Sequence, residues 1–150
     1  MAKLTEIVRD PARRDRVVEA ALALLDEEVG RKRGVMGAMI KTAYRTVKGV
    51  SPGFLRSVVE TLLPPFAAAM EPFVARAQEA GEPMARYLPA HAGEAAEALL
   101  AITDEKAERA KTAVVRSLYK KLRGKARPHV EEAMPGVGRL IDAELAELKK

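Results

Sequence analysis

Apolar positions recur at helical spacing along nearly the whole chain, and no stretch alternates with the period of two that a half-buried strand requires. Val18, Leu22, Leu25 and Val29 share one face of a segment that opens at Asp10-Pro11 and meets Gly30. A helix is therefore predicted from Pro11 to Val29, with Asp10 as its cap and Pro11 pre-set for the first helical position. Met36, Met39, Ala43 and Val47 mark a second helix ending near Gly49. Ser51-Pro52 opens a third, which Pro64-Pro65 is expected to interrupt, and Pro72 should kink or break the helix that follows. Gly81-Glu82-Pro83 and Leu88-Pro89 read as a connector with a short helical turn between them. Beyond it the pattern predicts a helix through Leu100, a Thr103-capped helix from Asp104 to about Arg123, a break at Gly124 and Pro128, and a last helix from Pro135.

The second part of this list echoes the first. Glu19-Ala20-Ala21-Leu22-Ala23-Leu24-Leu25 recurs as Glu94-Ala95-Ala96-Glu97-Ala98-Leu99-Leu100, and Lys41-Thr42-Ala43 recurs as Lys111-Thr112-Ala113. Arg45, Gly53, Arg56, Val59, Glu60, Pro64 and Ala75 meet Arg116, Gly124, Arg127, Val130, Glu131, Pro135 and Ala146 in the same order. The expected architecture is all-α: a single compact domain of about eight helices, built from two related halves with pseudo-twofold symmetry. The halves are placed at about residues 10–80 and 89–150, with a connector at about 81–88. Some 70 residues of short helix rarely bury enough to stand alone, so the halves should share one core.

Composition adds limits rather than a reaction. A chain of 150 residues that is 48% hydrophobic and 31% charged is globular in character. It has no Cys, hence no disulfide framework and no thiolate metal site, which fits a reducing compartment; the cytoplasm is the expected location. The first residues lack the apolar run of a signal peptide, and no membrane span is expected.

Charge is unevenly spread. Residues 31–56 hold seven basic side chains and no acidic one, residues 105–128 hold nine basic and two acidic, and the net charge is +5, so the remainder is strongly acidic. Lys41, Arg45 and Lys48 follow one another at helical spacing, as do Arg109, Arg116, Lys120, Arg123 and Arg127 if one helix carries them all. Like charges so placed repel, and an anionic partner or acidic neighbours would relieve them. One expectation is a polyanion, nucleic acid or an anionic surface, held by Lys41, Arg45, Lys48 and Arg56 of one half and Arg116, Lys120, Arg123 and Arg127 of the other. The alternative is a protein-interaction or homo-oligomerising module with an apolar groove, the basic faces being merely solvated. Met36, Met39, Met70, Met84 and Met134 could line such a groove for a lipid or a partner helix, or pack the core.

Catalytic chemistry finds little purchase. His91 and His129 lie in different halves and in no metal-binding pair, and His129 reads as a helix-end histidine. No serine sits in a nucleophile elbow, and no glycine-rich run carries the lysine of a phosphate loop. A non-enzymatic binding or scaffolding protein without cofactor or metal is expected.

Lys3-Leu4-Thr5-Glu6-Ile7, Asp10-Pro11-Ala12-Arg13-Arg14, Ile40-Lys41-Thr42-Ala43-Tyr44, Val47-Lys48 and Pro52-Gly53 together resemble an uncharacterised family of small all-helical bacterial proteins with no established activity. The similarity covers most of the first half and less of the second. It implies a bacterial cytoplasmic protein and transfers no catalytic, cofactor-binding or ligand-binding residue.

Overall fold

Eight helices and no strand make up residues 4–148, the part of the chain that this computed structural model describes; Lys3 lies outside it. In chain order they are α1 (Leu4–Ile7), α2 (Pro11–Arg31), α3 (Gly34–Lys48), α4 (Phe54–Ala80), α5 (Met84–Ala90), α6 (Ala92–Glu108), α7 (Ala113–Arg123) and α8 (Ala126–Leu148). They form one all-α domain around a core that includes Leu88, Met134, Ala95, Ala96 and Met84, each at most 2% exposed.

Local signals explain several boundaries. Asp10 caps α2, its carboxylate accepting from the Ala12 N–H at 3.1 Å, and Pro11 occupies the first turn. Gly49 closes α3 as expected. Elsewhere the prolines are overridden. Pro64, Pro65 and Pro72 all lie inside the continuous α4, because Ala67, Met70, Phe73, Val74 and Ala77 of this helix are buried against its neighbours. Pro64 and Pro72 face solvent, where the carbonyls they leave unpaired can be hydrated. With its prolines spanned, α4 is by length and composition able to cross a membrane, a property that the expected interruption had hidden; here it packs on α1, α2, α3, α5 and α6.

Thr103 likewise starts no helix. Its hydroxyl donates back to the Leu100 carbonyl at 3.0 Å within α6, and the break comes later, at residues 109–112. The helix after it ends at Arg123, and Pro128 falls in the first turn of α8, where its missing N–H has no intrahelical partner to lose. The single basic face imagined from Arg109 to Arg127 is thus divided: Arg109 caps α6, Arg116, Lys120 and Arg123 ride on α7, and Arg127 belongs to α8. The stretch expected as a connector contains α5, whose Met84, Tyr87 and Leu88 are buried against the rest of the domain.

One set of cross-helix contacts occurs twice. Glu71 of α4 accepts from the Thr5 N–H (3.2 Å) at the start of α1, and Asp142 of α8 accepts from the Met84 and Ala85 N–H groups (2.8 and 2.9 Å) at the start of α5. Arg56 of α4 pairs with Glu19 of α2 and with Glu60, while Arg127 of α8 pairs with Glu97 of α6 and with Glu131. Asp26 of α2 accepts from Tyr44 and pairs with Lys48, both on α3; Asp104 of α6 accepts from Tyr119 and pairs with Arg123, both on α7. These contacts match Glu19 to Glu97, not to the Glu94 that the alanine-rich runs bring into line. Gly138 admits the tightest approach, since a Cβ there would lie 2.4 Å from the Met84 carbonyl oxygen of α5.

Candidate functional site

An apolar cleft is walled by α1–α4 on one side and by α6, α7 and α8 on the other. It has two connecting lobes of about 200 and about 460 Å³, which share Ala21, Leu24, Leu63, Phe66, Leu99 and Val137. The smaller lobe lies among α1, α2, α4, α6 and α8, and Glu144 is the one charged side chain on its wall. The larger is walled by Met36 and Ile40 of α3, by Leu55, Val58, Val59 and Leu62 of α4, and by Ala126, Val130 and Ala133 of α8. Small-molecule sites commonly have volumes of about 300–1,000 Å³ and mainly apolar walls, so the larger lobe is of ligand size.

Polar groups on the wall of the larger lobe are few: Glu28, Lys32, Thr103, Lys125 and His129. Two of them are neutralised. Lys32, 8% exposed, reaches Glu132 of α8 at 2.7 Å, and Glu28, also 8% exposed, accepts from Arg31 at 2.9 Å. The Lys32 ammonium holds the Glu132 carboxyl below the usual carboxylate range. Lys125 has no ion-pair partner among the described residues, and the buried His129 Nδ1 has no hydrogen-bond partner there. Among the described residues no three His, Asp or Glu side chains gather as a metal site. His91 is held structurally, its ring stacked on Tyr87 with centroids 4.0 Å apart and its Nδ1 3.0 Å from the Tyr87 carbonyl.

The eight basic residues singled out from the sequence divide into two groups. Lys48, Arg56, Arg123 and Arg127 each meet carboxylates: Asp26 at 3.8 Å, Asp15 at 3.7 Å along with Glu19 and Glu60, Asp104 at 2.6 Å, and Glu97 at 2.9 Å. Lys41 and Arg45 of α3 and Lys120 of α7 have no carboxylate partner among the described residues, and Arg116 donates to the Ala110 carbonyl. Since α3 and α7 touch, these four cations lie on adjacent helices.

Both helices are lightly attached. Among described residues α7 has none fully buried, α3 has only Gly37 and Ala43, and Val35 at the start of α3 is 81% exposed. The attachment of α7 rests on the Asp104 cluster. Hydrogen bonds from Arg123 and then Tyr119 hold the Asp104 carboxyl below its ordinary value, while burial and Asp104 push the Tyr119 phenol up to about 12. A depressed carboxylate contributes stability that is present above its unfolded pKa and lost as pH falls through the folded one. A raised phenol contributes fully below about 10 and loses its contribution as pH rises towards 12. The α6–α7 clasp should therefore be strongest between about pH 4 and 10. Tyrosine absorbance titration checks this: the step near 12 is expected to vanish in Tyr119→Phe.

An apolar groove is the alternative expectation from the sequence, but its aliphatic walls are not placed there, because Leu55, Val58, Val59 and Leu62 have the pattern of any core helix face. Of the methionines expected in a groove, Met36 lines the larger lobe and Met70 the smaller, Met70 being also buried in the core with Met84 and Met134, while Met39 lines neither lobe. His129 belongs to the cleft wall, beyond the helix-end position that its sequence context suggested. No curated protein and no solved structure matches the chain. The pattern of the family of unknown function DUF6918 matches residues 4–145, and the chain belongs to that family.

Proposed function

We propose that this is a non-catalytic binding protein that takes an extended apolar chain into the cleft between two related halves. The observation that carries this reading is the larger lobe, about 460 Å³, whose wall is apolar apart from five polar side chains. Burial of a methylene is worth about 0.8 kcal/mol, so about ten methylenes would supply about 8 kcal/mol, a micromolar affinity before ordering costs. The twice-repeated contacts support the duplication. In the register they favour, α4 and α8 would be equivalent walls, with Leu55, Val59, Leu62 and Phe66 matched by Ala126, Val130, Ala133 and Val137.

Titration with a neutral long-chain fluorescent probe tests the proposal. Saturable binding at one site is expected, and Ala133→Phe or Ile40→Phe, on opposite walls, should abolish it without lowering the melting temperature. Binding that fails to saturate, or that both variants leave unchanged, would contradict it.

A second reading is favoured by the cations on α3 and α7 without carboxylate partners. Lys41, Arg45, Lys120 and Arg116 would contact a polyanion, and binding to nucleic acid or anionic vesicles should then fall steeply from about 50 to 200 mM salt. Triple replacement of Lys41, Arg45 and Lys120 by Glu should remove it, and salt-independent binding would exclude this contact.

A further inference from the structure

Five of the six polar side chains on the cleft wall line the larger lobe; the sixth, Glu144, lies on the smaller lobe and is paired with Arg16. Arg16 of α2 meets Glu144 of α8 at 2.8 Å, and Lys32 of α2 meets Glu132 of α8 at 2.7 Å, so the two helices run antiparallel. The C-terminal end of α2 therefore lies beside the N-terminal end of α8. That brings Glu28 and Lys32 to the same end as Lys125 and His129, which are one turn apart. The opposite, smaller lobe is closed by Leu4, Ile7, Val8, Met70 and Ile141.

Charge at the polar end does not cancel. Lys32 is matched by Glu132 and Glu28 by Arg31, which leaves Lys125 as the unmatched charge on the wall. Beside it, the His129 Nδ1 is buried without a hydrogen-bond partner among the described residues, whereas buried polar atoms are ordinarily paired. The repeated contacts sharpen the point. The register that matches Arg56 to Arg127 and Glu60 to Glu131 sets His129 where the first half has Val58, and Lys125 where it has Phe54. The register that matches Asp26 to Asp104 sets Thr103 against Leu25. At the same end of the cleft, the second half has a cation, an imidazole and a hydroxyl where the first has three apolar side chains.

We infer that the occupant is an amphiphile with a single anionic head, a carboxylate or a phosphate, held at Lys125 and His129 with its alkyl chain directed towards the smaller lobe. This rests on the proposed binding of an apolar chain. Lys125, exposed where it lines the larger lobe, supplies the charge, and the half-buried His129 beside it supplies its imidazole; the Thr103 hydroxyl is already engaged by the Leu100 carbonyl and Tyr119.

Displacement of the neutral probe by dodecanoate, dodecyl phosphate, dodecanol and dodecylamine tests the inference on the full chain. The two anions are expected to displace it at concentrations at least about tenfold below dodecanol, with the amine weakest, as a charge-assisted hydrogen bond predicts. Whichever anion is tighter identifies the head. Lys125→Glu and His129→Val should each remove most of that preference and leave dodecanol unchanged. If dodecanol matches the anions and neither variant alters any of the four, the anionic head is overturned while chain binding stands. If the probe itself does not bind, the reading beneath it fails.

Discussion

A Gly138→Ala variant should melt far below the parent, whereas Gly136→Ala, two residues earlier on the same helix, should fold nearly as well. A Cβ at 138 would lie 2.4 Å from the Met84 carbonyl oxygen and 2.7 Å from the Ala85 Cα, and neither backbone atom can move without shifting α5 as a whole. That shift would strain the Asp142 bonds to the Met84 and Ala85 N–H groups and loosen the packing of Met84 and Leu88. Overpacking of this kind costs about 3 kcal/mol, which for a chain of this length lowers Tm by about 6–12 °C. At 136 the clash is with Leu24 Cδ1 at 2.5 Å, the tip of a flexible side chain that borders the cleft and has space to turn into. Thermal melts of both variants check the contrast. Equal losses would mean that α5 does not sit on α8 at this distance.

Truncation of Leu88 to Ala is expected to destabilise the protein by about 3 kcal/mol, and truncation of Leu62 by about 1 kcal/mol. Leu88 is fully buried in the core, so its removal opens a void that close-packed neighbours cannot fill. Leu62 is half-buried on the wall of a lobe that is already open, and its removal enlarges existing space without creating a new cavity. Urea denaturation of the two variants, compared at equal m-value, measures the difference. A loss at Leu62 as large as that at Leu88 would show that the lobe is closed in solution.

Much of the fold was legible in the chain itself. The helical period excluded strands, Asp10-Pro11 marked the start of α2, and Gly49 the end of α3. Less legible was what tertiary packing decides. Pro64, Pro65 and Pro72 argue locally for breaks in α4, yet five buried side chains after Pro65 hold it continuous. The register of the proposed duplication was obscured because alanine-rich helices match at several offsets; the pairing of Arg56 with Glu19 and of Arg127 with Glu97 favours one of them. Of the candidate basic residues, Arg56 and Arg123 meet acids distant in sequence, which no local pattern reveals. An apolar groove was among the expectations, but its walls were hidden for a related reason: whether Val59 meets a neighbouring side chain or open space depends on how far apart α4 and α8 stand.

The account depends on that space admitting an alkyl chain. Methyl-resolved NMR of the protein with dodecanoate tests this most directly. Intermolecular NOEs from the chain to methyls of Leu25 and Val59 on one side and Val130 and Val137 on the other are predicted, since all four line the larger lobe. Contacts confined to the exposed Val35 and Val114, with the lobe methyls unmoved, would contradict it.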